Sequence, residues 1–410
     1  MHLRDDCDFI VKRAIAAVQP DAAVQRALSG KSFGGGKVIL VAVGKAAWSM
    51  ASAAKNVLGE RINQGIVVTK YGHSMGSIPG VSIFEAGHPV PDANSFLATE
   101  AVLQATSGLT CSDVVLLLIS GGGSALFEAP LISAEQSAEL TGQLLACGAN
   151  IVEMNTIRKR FSKVKGGRFA QHCQPAHIFS IVLSDIIGDP LDMIASGPAY
   201  PDSSTVEDAV KVADKYHLDL TGEMQALLRV ETPKQLNNVE TVITGSVREL
   251  CFAVAGAARE RGYQPLILTD SLDCVAREAG AFFSAMARYH QTTTQPVAVI
   301  AGGETIVHVV GKGLGGRNQE LALSASLGIR GLHQTAVFSF GSDGTDGPTN
   351  AAGGYVDGDT AFILEKQGVD IFRVLQNNDA YNALRITDGL IMTGPTGTNV
   401  NDVTVLLIHR

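Results

Sequence analysis

The fold is decided by residues 297–323, which read VAVIAGGETIVHVVGKGLGGRNQELAL. A continuous apolar run predicts a buried strand, and glycines, a second strand-like run, more glycines and a helical pattern follow it. Glycine lets the backbone take positive φ and approach a ligand closely. Arg317 lies where the helix should begin, beside N–H groups that carry partial positive charge. This position predicts an anion site to which the guanidinium adds two donors.

The same stretch also satisfies the glycine spacing of a dinucleotide-binding turn. Gly311, Gly313 and Gly316 stand in the order G-x-G-x-x-G between a strand-like run and a helix-like run. In that fold an acidic residue should end the next strand about 20 residues further on. Here the next apolar strand is followed only by Ser342 and Asp343, which is a long spacing. The pattern alone therefore does not establish a nicotinamide site, and a glycine-rich hairpin turn without a ligand is another interpretation.

Composition indicates a large folded protein of mildly acidic charge. A chain of 410 residues suits two α/β domains better than one core. The net charge of -8 argues against a general affinity for nucleic acid or for an anionic membrane. Six scattered cysteines without a CxxC pair indicate neither a disulfide framework nor a zinc site. No apolar run is long enough to span a membrane, so we expect a cytoplasmic protein.

Apolar runs alternate with helical patterns along the chain, after one amphipathic helix expected over residues 7–28. The runs are 38–43, 65–69, 81–85, 114–119, 178–183, 241–245, 265–269, 297–301, 336–340, 390–392 and 403–408. This alternation predicts an α/β protein with two Rossmann-like domains and mostly parallel sheets, which bind ligands at the carboxyl ends of their strands. A proline-containing segment with few strand features precedes residue 237. We therefore expect an N-terminal domain over residues 1–236 and a C-terminal domain over residues 237–410.

Two predicted strand ends in the N-terminal half suit phosphate. One is followed by a loop of five residues, Ser120, Gly121, Gly122, Gly123 and Ser124. Successive glycines can turn several N–H groups inward as an anion nest. Lys45 lies at the other strand end, at a helix start where a cation is disfavoured unless an anion joins it. We expect both to bind phosphate, the alternatives being a tight turn for the loop and a solvent-facing position for the lysine. Lys165, directly before Gly166, is a further candidate for contact with an anion.

Two pairs of aspartates follow other predicted strands and could serve a metal ion. Asp185 and Asp189 form one pair, and Asp343 and Asp346 form the other. Mg²⁺ accompanying a nucleotide is usually held by one or two carboxylates plus phosphate oxygens and water. Either pair would suffice, although such aspartates also cap turns and helices. Of the ten histidines, only His88 is expected near the site.

The motifs at these strand ends span nearly the whole chain. They are VGKAA at 43–47, GHPVPD at 87–92, SGGGSAL at 120–126, NTIRKRFSKVKGGRFA at 155–170, LSDIIGDP at 183–190, ASGP at 195–198, GGET and GGRNQE at 302–320, SDGTDGP at 342–348, and TGPTGTNVND at 393–402. Together they resemble the class II glycerate kinases, whose C-terminal module is the MOFRL domain. The resemblance implies two α/β domains with the active site in the cleft between them. It also implies phosphorylation of D-glycerate at the 2-hydroxyl, with ATP and Mg²⁺.

The resemblance further implies roles for individual residues. Lys45 and Arg317 are expected to be essential, and Asp189 is expected to act in catalysis. The expected substrate contacts are His88, Asn155, Glu304 and Asn318, and the expected metal ligands are Asp185, Asp343 and Asp346. The partners are then the small molecules glycerate and ATP, and a homodimer is left open.

Two other functions are also left open by the sequence. Members of the family often carry the name hydroxypyruvate reductase, which keeps an NAD(P)H-dependent reductase as an alternative. A non-catalytic sensor of a phosphorylated metabolite could be built on the same loops. A kinase should release ADP from ATP and glycerate, a reductase should consume reduced nicotinamide with hydroxypyruvate, and a sensor should be stabilised by its ligand without turnover.

Overall fold

Residues 3–410, which the computed structural model describes, contain twelve β-strands and sixteen α-helices in two α/β units. The strands are β1 (Val38–Val43), β2 (Gln64–Lys70), β3 (Val81–Ala86), β4 (Val114–Ile119), β5 (His177–Leu183), β6 (Val239–Gly245), β7 (Gln264–Leu272), β8 (Val297–Gly303), β9 (Thr335–Gly341), β10 (Gly353–Asp357), β11 (Leu390–Ile391) and β12 (Asp402–Ile408). The helices are α1 (Leu3–Ala17), α2 (Pro20–Leu28), α3 (Ala47–Leu58), α4 (Ala93–Ala105), α5 (Gly123–Leu126), α6 (Ala134–Ala146), α7 (Ile151–Arg160), α8 (Arg168–Cys173), α9 (Val206–Lys215), α10 (Gly222–Leu228), α11 (Val247–Glu260), α12 (Ala276–Tyr289), α13 (Arg317–Gly328), α14 (Thr360–Lys366), α15 (Ile371–Gln376) and α16 (Ala380–Ile386). The predicted α/β class is confirmed.

The first sheet has the strand order β3-β2-β1-β4-β5-β6, and every pairing from β3 to β5 is parallel. All six residues of β1 and all six of β4 are buried, as expected for strands covered on both faces. The chain runs outward in one direction from β1 to β3 and in the other from β4 to β6. The strand order therefore reverses between β1 and β4, and open α/β sheets bind ligands at the carboxyl ends beside such a switch point.

The second sheet has the order β11-β10-β9-β12-β8-β7 and departs from the expected parallel pairing. Only β7 and β8 pair in parallel, whereas β12 is antiparallel to both β8 and β9, and β10 is antiparallel to both β9 and β11. A parallel neighbour requires a long crossover connection, usually a helix. The connection from β9 to β10 contains no helix, so the chain turns back and β10 pairs antiparallel with β9. The short strand β10 was not predicted at all.

The division of the chain differs from the predicted boundary at residues 236 and 237. The β1–β6 unit comprises residues 24–183 and 189–244, so β6 completes the first sheet instead of opening the second domain. The β7–β12 unit comprises residues 184–188, 245–410 and the described residues up to 23. Strand pairing, which the sequence does not display, decides where β6 belongs.

The predicted N-terminal helix is divided in two: α1 belongs to the β7–β12 unit, whereas the division between the units falls within α2, after Ala23. Pro20 begins α2, in the first helical position that proline favours. The apolar face of α1 lies in the same core cluster as α11 and β12. Asp6, which is fully buried, accepts hydrogen bonds from Arg261 Nε (2.5 Å) and from the Tyr263 hydroxyl (2.7 Å). These contacts explain why the N-terminus packs against the sheet formed by the C-terminal half of the chain.

Within residues 297–323, the strand and the helix are confirmed, but the second strand is wrong. Residues 304–316 form an irregular loop in which Val309 and Val310 are 77% and 78% exposed. The N–H groups of Val310 and Gly311 both donate to Asn378 Oδ1 (2.9 Å each). A side-chain amide therefore holds this loop where a neighbouring strand would otherwise be needed.

Candidate functional site

The loop after β4 presents open hydrogen-bond donors at the switch point of the first sheet. Within the described chain, none of the N–H groups of residues 121–124 donates a hydrogen bond. Gly122 has φ 88°, a left-handed conformation that turns the peptide groups on either side of it. A Cβ at Gly122 would lie 3.1 Å from His88 Cδ2 and 3.3 Å from Lys45 Cγ. Adjacent unbonded donors of this kind are suited to bind an anion.

Lys45 follows β1 and lies beside this loop. Its N–H donates to Gly121 O (2.9 Å), so the two strand ends are tied together through their backbones. The side chain is exposed, and its ammonium group forms no ion pair with the residues that the structure describes. Lys45 therefore places an unneutralised cation next to four open N–H groups, an arrangement that attracts an anion.

Three basic groups act on His88, which follows β3. Burial lowers the pKa of His88, and the positive charges of Lys45, Lys70 and His73 lower it further. The sequence analysis did not assign Lys70 or His73 to the site. Lys70 ends a parallel strand of the same sheet, so the rule that placed Lys45 at a strand end could also have found it.

The two hydroxyl groups of the loop, which the sequence analysis assigned to ligand binding, contact other groups of the protein. Ser120 is buried, and its Oγ accepts a hydrogen bond from Ala46 N (3.1 Å) at the start of α3. Ser124 Oγ lies 2.9 Å from Ser196 Oγ. The hydroxyls therefore hold the loop in place, and the backbone N–H groups remain as the donors for a ligand.

Asn155 supports the same loop from inside the unit instead of lying open to substrate. It is buried, and its Oδ1 accepts a hydrogen bond from Ser196 Oγ (3.0 Å). Ala195 and Ser196 both have positive φ, at 51° and 60°, which is unusual for residues with a Cβ. A Cβ at Gly123 would lie only 2.6 Å from Ala195 Cβ, so only glycine fits there. The structure places Asn155 in a chain of contacts through Ser196 to Ser124, and its contact with substrate stays a prediction.

Lys165 does not reach the anion nest. Its side chain is fully buried and forms an ion pair with Glu128. Burial lowers the pKa of Lys165 to about 8, although the nearby Glu128 carboxylate acts in the opposite direction. The expected contact with nucleotide is not supported, because the ammonium group already neutralises a buried carboxylate that would otherwise be costly to bury.

The two aspartates of LSDIIGDP fall in different units. Asp185 belongs to the short segment 184–188 of the β7–β12 unit, where it is half-buried and has a polar partner. Asp189 belongs to the β1–β6 unit and has φ 51°. Its Oδ1 is buried and has no hydrogen-bond partner within residues 3–410. A buried carboxylate oxygen without a partner is rare and marks Asp189 as a functional candidate.

The β7–β12 unit contains a cavity of about 580 Å³ beside Arg317, the first residue of α13. Arg317 Nη1 donates to Glu304 Oε1 (2.7 Å), Nε to Asp402 Oδ2 (2.5 Å) and Nη2 to Asp402 Oδ1 (3.3 Å). Burial alone would lower the pKa of Arg317, but the two carboxylates reverse this and raise it. The guanidinium fork, which was expected to be free for a ligand, is therefore already paired with the protein.

The anion site predicted at the start of α13 is filled by Asp346. The N–H of Asn318 donates to Asp346 Oδ1 (3.2 Å), and the N–H of Gln319 donates to Asp346 Oδ2 (2.9 Å). Burial raises the pKa of Asp346 to about 7, against the opposing effect of these two donors. Asn318 is buried, and its Oδ1 accepts from Ser339 Oγ (2.6 Å). Asn318 and Asp346 are thus hydrogen-bonded to each other, and neither has the open geometry expected of a substrate or metal contact.

The remaining predicted residues of this unit line the cavity. Asp343 is half-buried, and its Oδ1 accepts from Thr345 N (2.9 Å). The side chain of Glu304 is 45% exposed beside Arg317. Within residues 3–410, no group of three or more His, Cys, Asp or Glu side chains could hold a metal ion by itself. Any metal ion at this cavity would therefore need most of its ligands from elsewhere.

The dinucleotide pattern is explained by packing. A Cβ at Gly311 would lie 2.2 Å from Asn377 O, and a Cβ at Gly313 would lie 2.5 Å from the same oxygen. A Cβ at Gly316 would lie 2.3 Å from Asp346 Cγ. All three glycines let the loop approach other parts of the unit, so none is needed to bind a dinucleotide.

The structure thus brings the predicted residues together in two groups. Lys45, His88 and the glycine loop meet in the β1–β6 unit, with Ser120, Ser124 and Asn155 behind the loop. In the β7–β12 unit, Arg317, Glu304, Asn318, Asp343 and Asp346 meet around the cavity. The sequence analysis missed the partner of Arg317, Asp402, although its motif had been noted.

Comparison with known proteins finds a matching family for the part of the chain that carries each group. Residues 6–229 match a family described as domain of unknown function (DUF4147), and residues 297–402 match the MOFRL family. A D-glycerate 2-kinase of Thermotoga maritima is 52% identical over 97% of each chain. A glycerate 2-kinase of Pyrococcus horikoshii is 39% identical over 100% of this chain and 98% of its own. The crystal structure of glycerate kinase from Thermotoga maritima has a TM-score of 0.95, with 51% identity over 99% of each chain.

None of the helices formed by residues 3–410 is both long and apolar enough to cross a membrane.

Proposed function

This chain belongs to the class II glycerate kinase family, and we propose that it transfers the γ-phosphoryl group of ATP to the 2-hydroxyl of D-glycerate. A glycerate 2-kinase is 52% identical to it over nearly the full length of both chains, so the chain is an ATP-dependent glycerate kinase. The choice of the 2-hydroxyl and of the D enantiomer is supported by the names of the two relatives. A cytoplasmic location is supported by six free thiols, which are typical of a reducing compartment.

One observation carries the proposal: four open N–H groups and an unpaired lysine lie side by side at the switch point of the first sheet. Phosphoryl transfer has a loose transition state with its charge spread over several oxygens. Catalysis therefore depends on positioning and on donors aimed at that charge. Residues 121–124 and Lys45 are suited to bind the phosphates of ATP.

Arg317 enters the proposal with a smaller role than the sequence suggested. A guanidinium has five N–H donors, and three of them are directed at Asp402 and Glu304. The carboxylates hold the side chain at the cavity wall, where its remaining donors can contact an anionic ligand. We therefore keep Arg317 and Glu304 as residues that act on the reactants, with Asp402 as the residue that positions the guanidinium.

Mg²⁺ also belongs to the proposal, and each unit offers one of the expected carboxylates as a candidate ligand. The buried oxygen of Asp189 has no protein partner within the described chain, and Asp343 keeps one oxygen without a hydrogen bond from those residues. Mg²⁺ typically takes one or two carboxylates and completes its shell with phosphate oxygens and water. When bound, the ion would neutralise charge on the transferring phosphates. Asp346 does not fit this role, because both of its oxygens accept N–H groups of α13.

The function can be tested by supplying ATP, Mg²⁺ and D-glycerate and by identifying the product with enolase. Enolase consumes 2-phosphoglycerate directly, whereas 3-phosphoglycerate requires a mutase first. We expect ADP release that depends on glycerate and a product that enolase accepts without the mutase. Product that requires the mutase would overturn the 2-hydroxyl assignment, and an absence of ADP release would overturn the kinase.

The two alternative functions have distinct outcomes in the same assays. Oxidation of reduced nicotinamide with hydroxypyruvate would indicate a reductase, although the packing roles of Gly311, Gly313 and Gly316 leave no observation in its favour. Thermal stabilisation by ATP without turnover would indicate a sensor.

A further inference from the structure

The imidazole of His88 lies directly over the glycine loop. A Cβ at Gly122 would lie 3.1 Å from His88 Cδ2 and 3.2 Å from His88 Nε2, so this edge of the ring lies against the loop. The same point is 3.3 Å from Lys45 Cγ. His88 and Lys45 therefore lie side by side against the loop to which the proposed function assigns the phosphates.

The segment that carries His88 is fixed by neighbouring contacts. Asp92 caps the start of α4 by accepting a hydrogen bond from Ser95 N (3.0 Å). Its carboxylate also accepts a hydrogen bond from the Tyr71 hydroxyl (2.7 Å) and one from the N–H of Gly87, which directly precedes His88. The backbone at His88 is thus held in place, whereas the ring makes no hydrogen bond with the residues that the structure describes.

Each neighbouring basic group that perturbs the pKa of His88 lowers it. Lys45, Lys70 and His73 contribute positive charge from the ends of β1 and β2 and from the loop after β2. Together with burial, these groups lower the pKa of His88, so the ring is neutral at neutral pH and one nitrogen carries a free lone pair. A histidine of this kind can accept a proton, whereas a protonated one cannot.

We propose that His88 is the general base that accepts the hydroxyl proton of glycerate during transfer. The inference rests on the proposed kinase function. A bond forms between the hydroxyl oxygen and the γ-phosphorus, and the bond from that phosphorus to the bridging oxygen breaks, with its electron pair leaving on ADP. The hydroxyl proton moves to His88 Nε2, and the half-exposed ring then releases it to solvent.

A neutral base has an electrostatic advantage over an aspartate beside this loop. ATP and the carboxylate of glycerate are both anionic, and a further negative charge beside them would oppose their binding. Neutral imidazole adds no negative charge before transfer, and it becomes a cation as it accepts the proton. The geometry therefore assigns the proton to His88 and leaves Asp189 free for the metal ion.

The test compares His88→Gln with the parent enzyme across pH. Glutamine keeps polar atoms near the ring positions but cannot accept a proton at these pH values. We expect kcat to fall by about a hundredfold or more, with KM for ATP and glycerate changed only a few-fold. We also expect the acidic limb of the kcat profile to disappear. His177→Gln is the control, because His177 is exposed at the amino end of β5, which is the opposite end of the sheet from the loop.

The outcomes separate this inference from the proposed function. If the parent enzyme releases ADP with glycerate but His88→Gln keeps its kcat and its acidic limb, the inference is overturned. Loss of that limb in Asp189→Asn, and not in His88→Gln, would assign the base to the aspartate. If the parent releases no ADP, the kinase function fails first.

A second measurement covers the case in which His88→Gln does not fold. NMR of ¹⁵N-labelled histidine in the unmodified protein should show one imidazole that is neutral well below the pH at which the others lose their protons. Its signal should move when glycerate and a nonhydrolysable ATP analogue are added, and a spectrum without such a ring would also overturn the inference.

Discussion

The two clusters of glycine and cation in this chain look alike in sequence and differ in whether their donors are satisfied. In the β1–β6 unit, Lys45 forms no ion pair and residues 121–124 leave four N–H groups open within the described chain. In the β7–β12 unit, Arg317 is paired with two carboxylates, and the first N–H groups of α13 are bound by Asp346. The same pattern can thus be an anion site that a ligand must fill or one that the protein fills itself.

This difference separates binding from stability in the two units. An open site contributes nothing to folding until its anion arrives, so its loss should affect the reaction and leave the fold unchanged. A filled site contributes in the absence of ligand, and removal of one partner leaves a buried group uncompensated. Substitutions in the open cluster should therefore change the kinetics, and substitutions in the filled cluster should change the free energy of unfolding.

The largest effect is expected for Lys45→Met, which removes the unpaired cation from the open site. We expect kcat/KM to fall by about a thousandfold, roughly 4 kcal/mol of transition-state stabilisation, while the free energy of unfolding stays unchanged. Steady-state kinetics and denaturant titration measure the two quantities. The control is Lys31→Met, because Lys31 is a surface lysine paired with Glu240 (2.5 Å). A destabilised Lys45→Met with nearly normal kinetics would show that this site, too, is structural.

The next largest effect is expected for Gly122→Val. A side chain here would intrude within 3.1 Å of His88 and would also require a strained left-handed backbone. We expect KM for ATP to rise by about a hundredfold, which corresponds to roughly 3 kcal/mol of lost binding. Gly108→Val is a matched control, since Gly108 also has positive φ (65°) but nothing within 4 Å of its Cβ position.

Both variants carry the same backbone cost of about 1–2 kcal/mol, so their difference isolates the crowding of the loop. Equal KM values for ATP in the two variants would remove the glycine loop from the nucleotide site.

How far the sequence could predict this site depends on how local each contact is. Lys45 and residues 121–124 were found because each directly follows a continuous apolar strand, and their hydrogen bonds are made by the backbone. Asp402 reaches Arg317 from 85 positions further along the chain, and Glu128 reaches Lys165 from 37 positions earlier. No local pattern reveals such partners. The sequence therefore indicated candidate cations and could not tell which of them were already neutralised.

The same reasoning applies to the fold. The strands of the first sheet were predictable because a parallel α/β unit repeats one local pattern. In the second sheet, β10 contains two glycines in five residues and pairs between β9 and β11, so its strand character comes from its neighbours. For residues 304–316 the prediction was wrong in the opposite direction. The apolar residues of this loop resemble a strand, but their backbone is held by the Asn378 side chain.

Arg317→Lys is expected to have a smaller effect on the reaction and a clear effect on stability. A single ammonium group cannot bind both Asp402 and Glu304 as the planar fork does. We expect kcat/KM to fall by about thirtyfold, roughly 2 kcal/mol, together with a loss of unfolding free energy that Lys45→Met does not show. Arg330→Lys, at an exposed pair with Glu365, controls for the change of side chain. An Arg317→Lys enzyme with normal stability and normal rate would mean that the fork is dispensable.

The smallest effect on the reaction is expected for Asp346→Asn. This variant tests the filled site through the pH dependence of protein stability. Burial raises the pKa of Asp346 to about 7 in the folded protein, from an ordinary value of 3.8. The folded state therefore holds this proton more tightly than the unfolded state. The stabilisation that results is complete below about pH 4 and is lost as the pH rises through about 7, with a slope of at most about 1.4 kcal/mol per pH unit.

Asparagine occupies the same space, keeps an oxygen that can accept an N–H from Asn318 or Gln319, and does not titrate. Denaturant unfolding across this pH range should therefore show the parent protein losing stability relative to Asp346→Asn as the pH rises, while kcat near neutral pH changes only a few-fold. Asp343→Asn controls for the loss of a negative charge in the same loop. Parallel stability curves for the parent and Asp346→Asn would mean that the carboxylate is ionised throughout. The start of α13 would then contain a permanent anion. The two sites would differ in their charge as well as in whether the protein fills them.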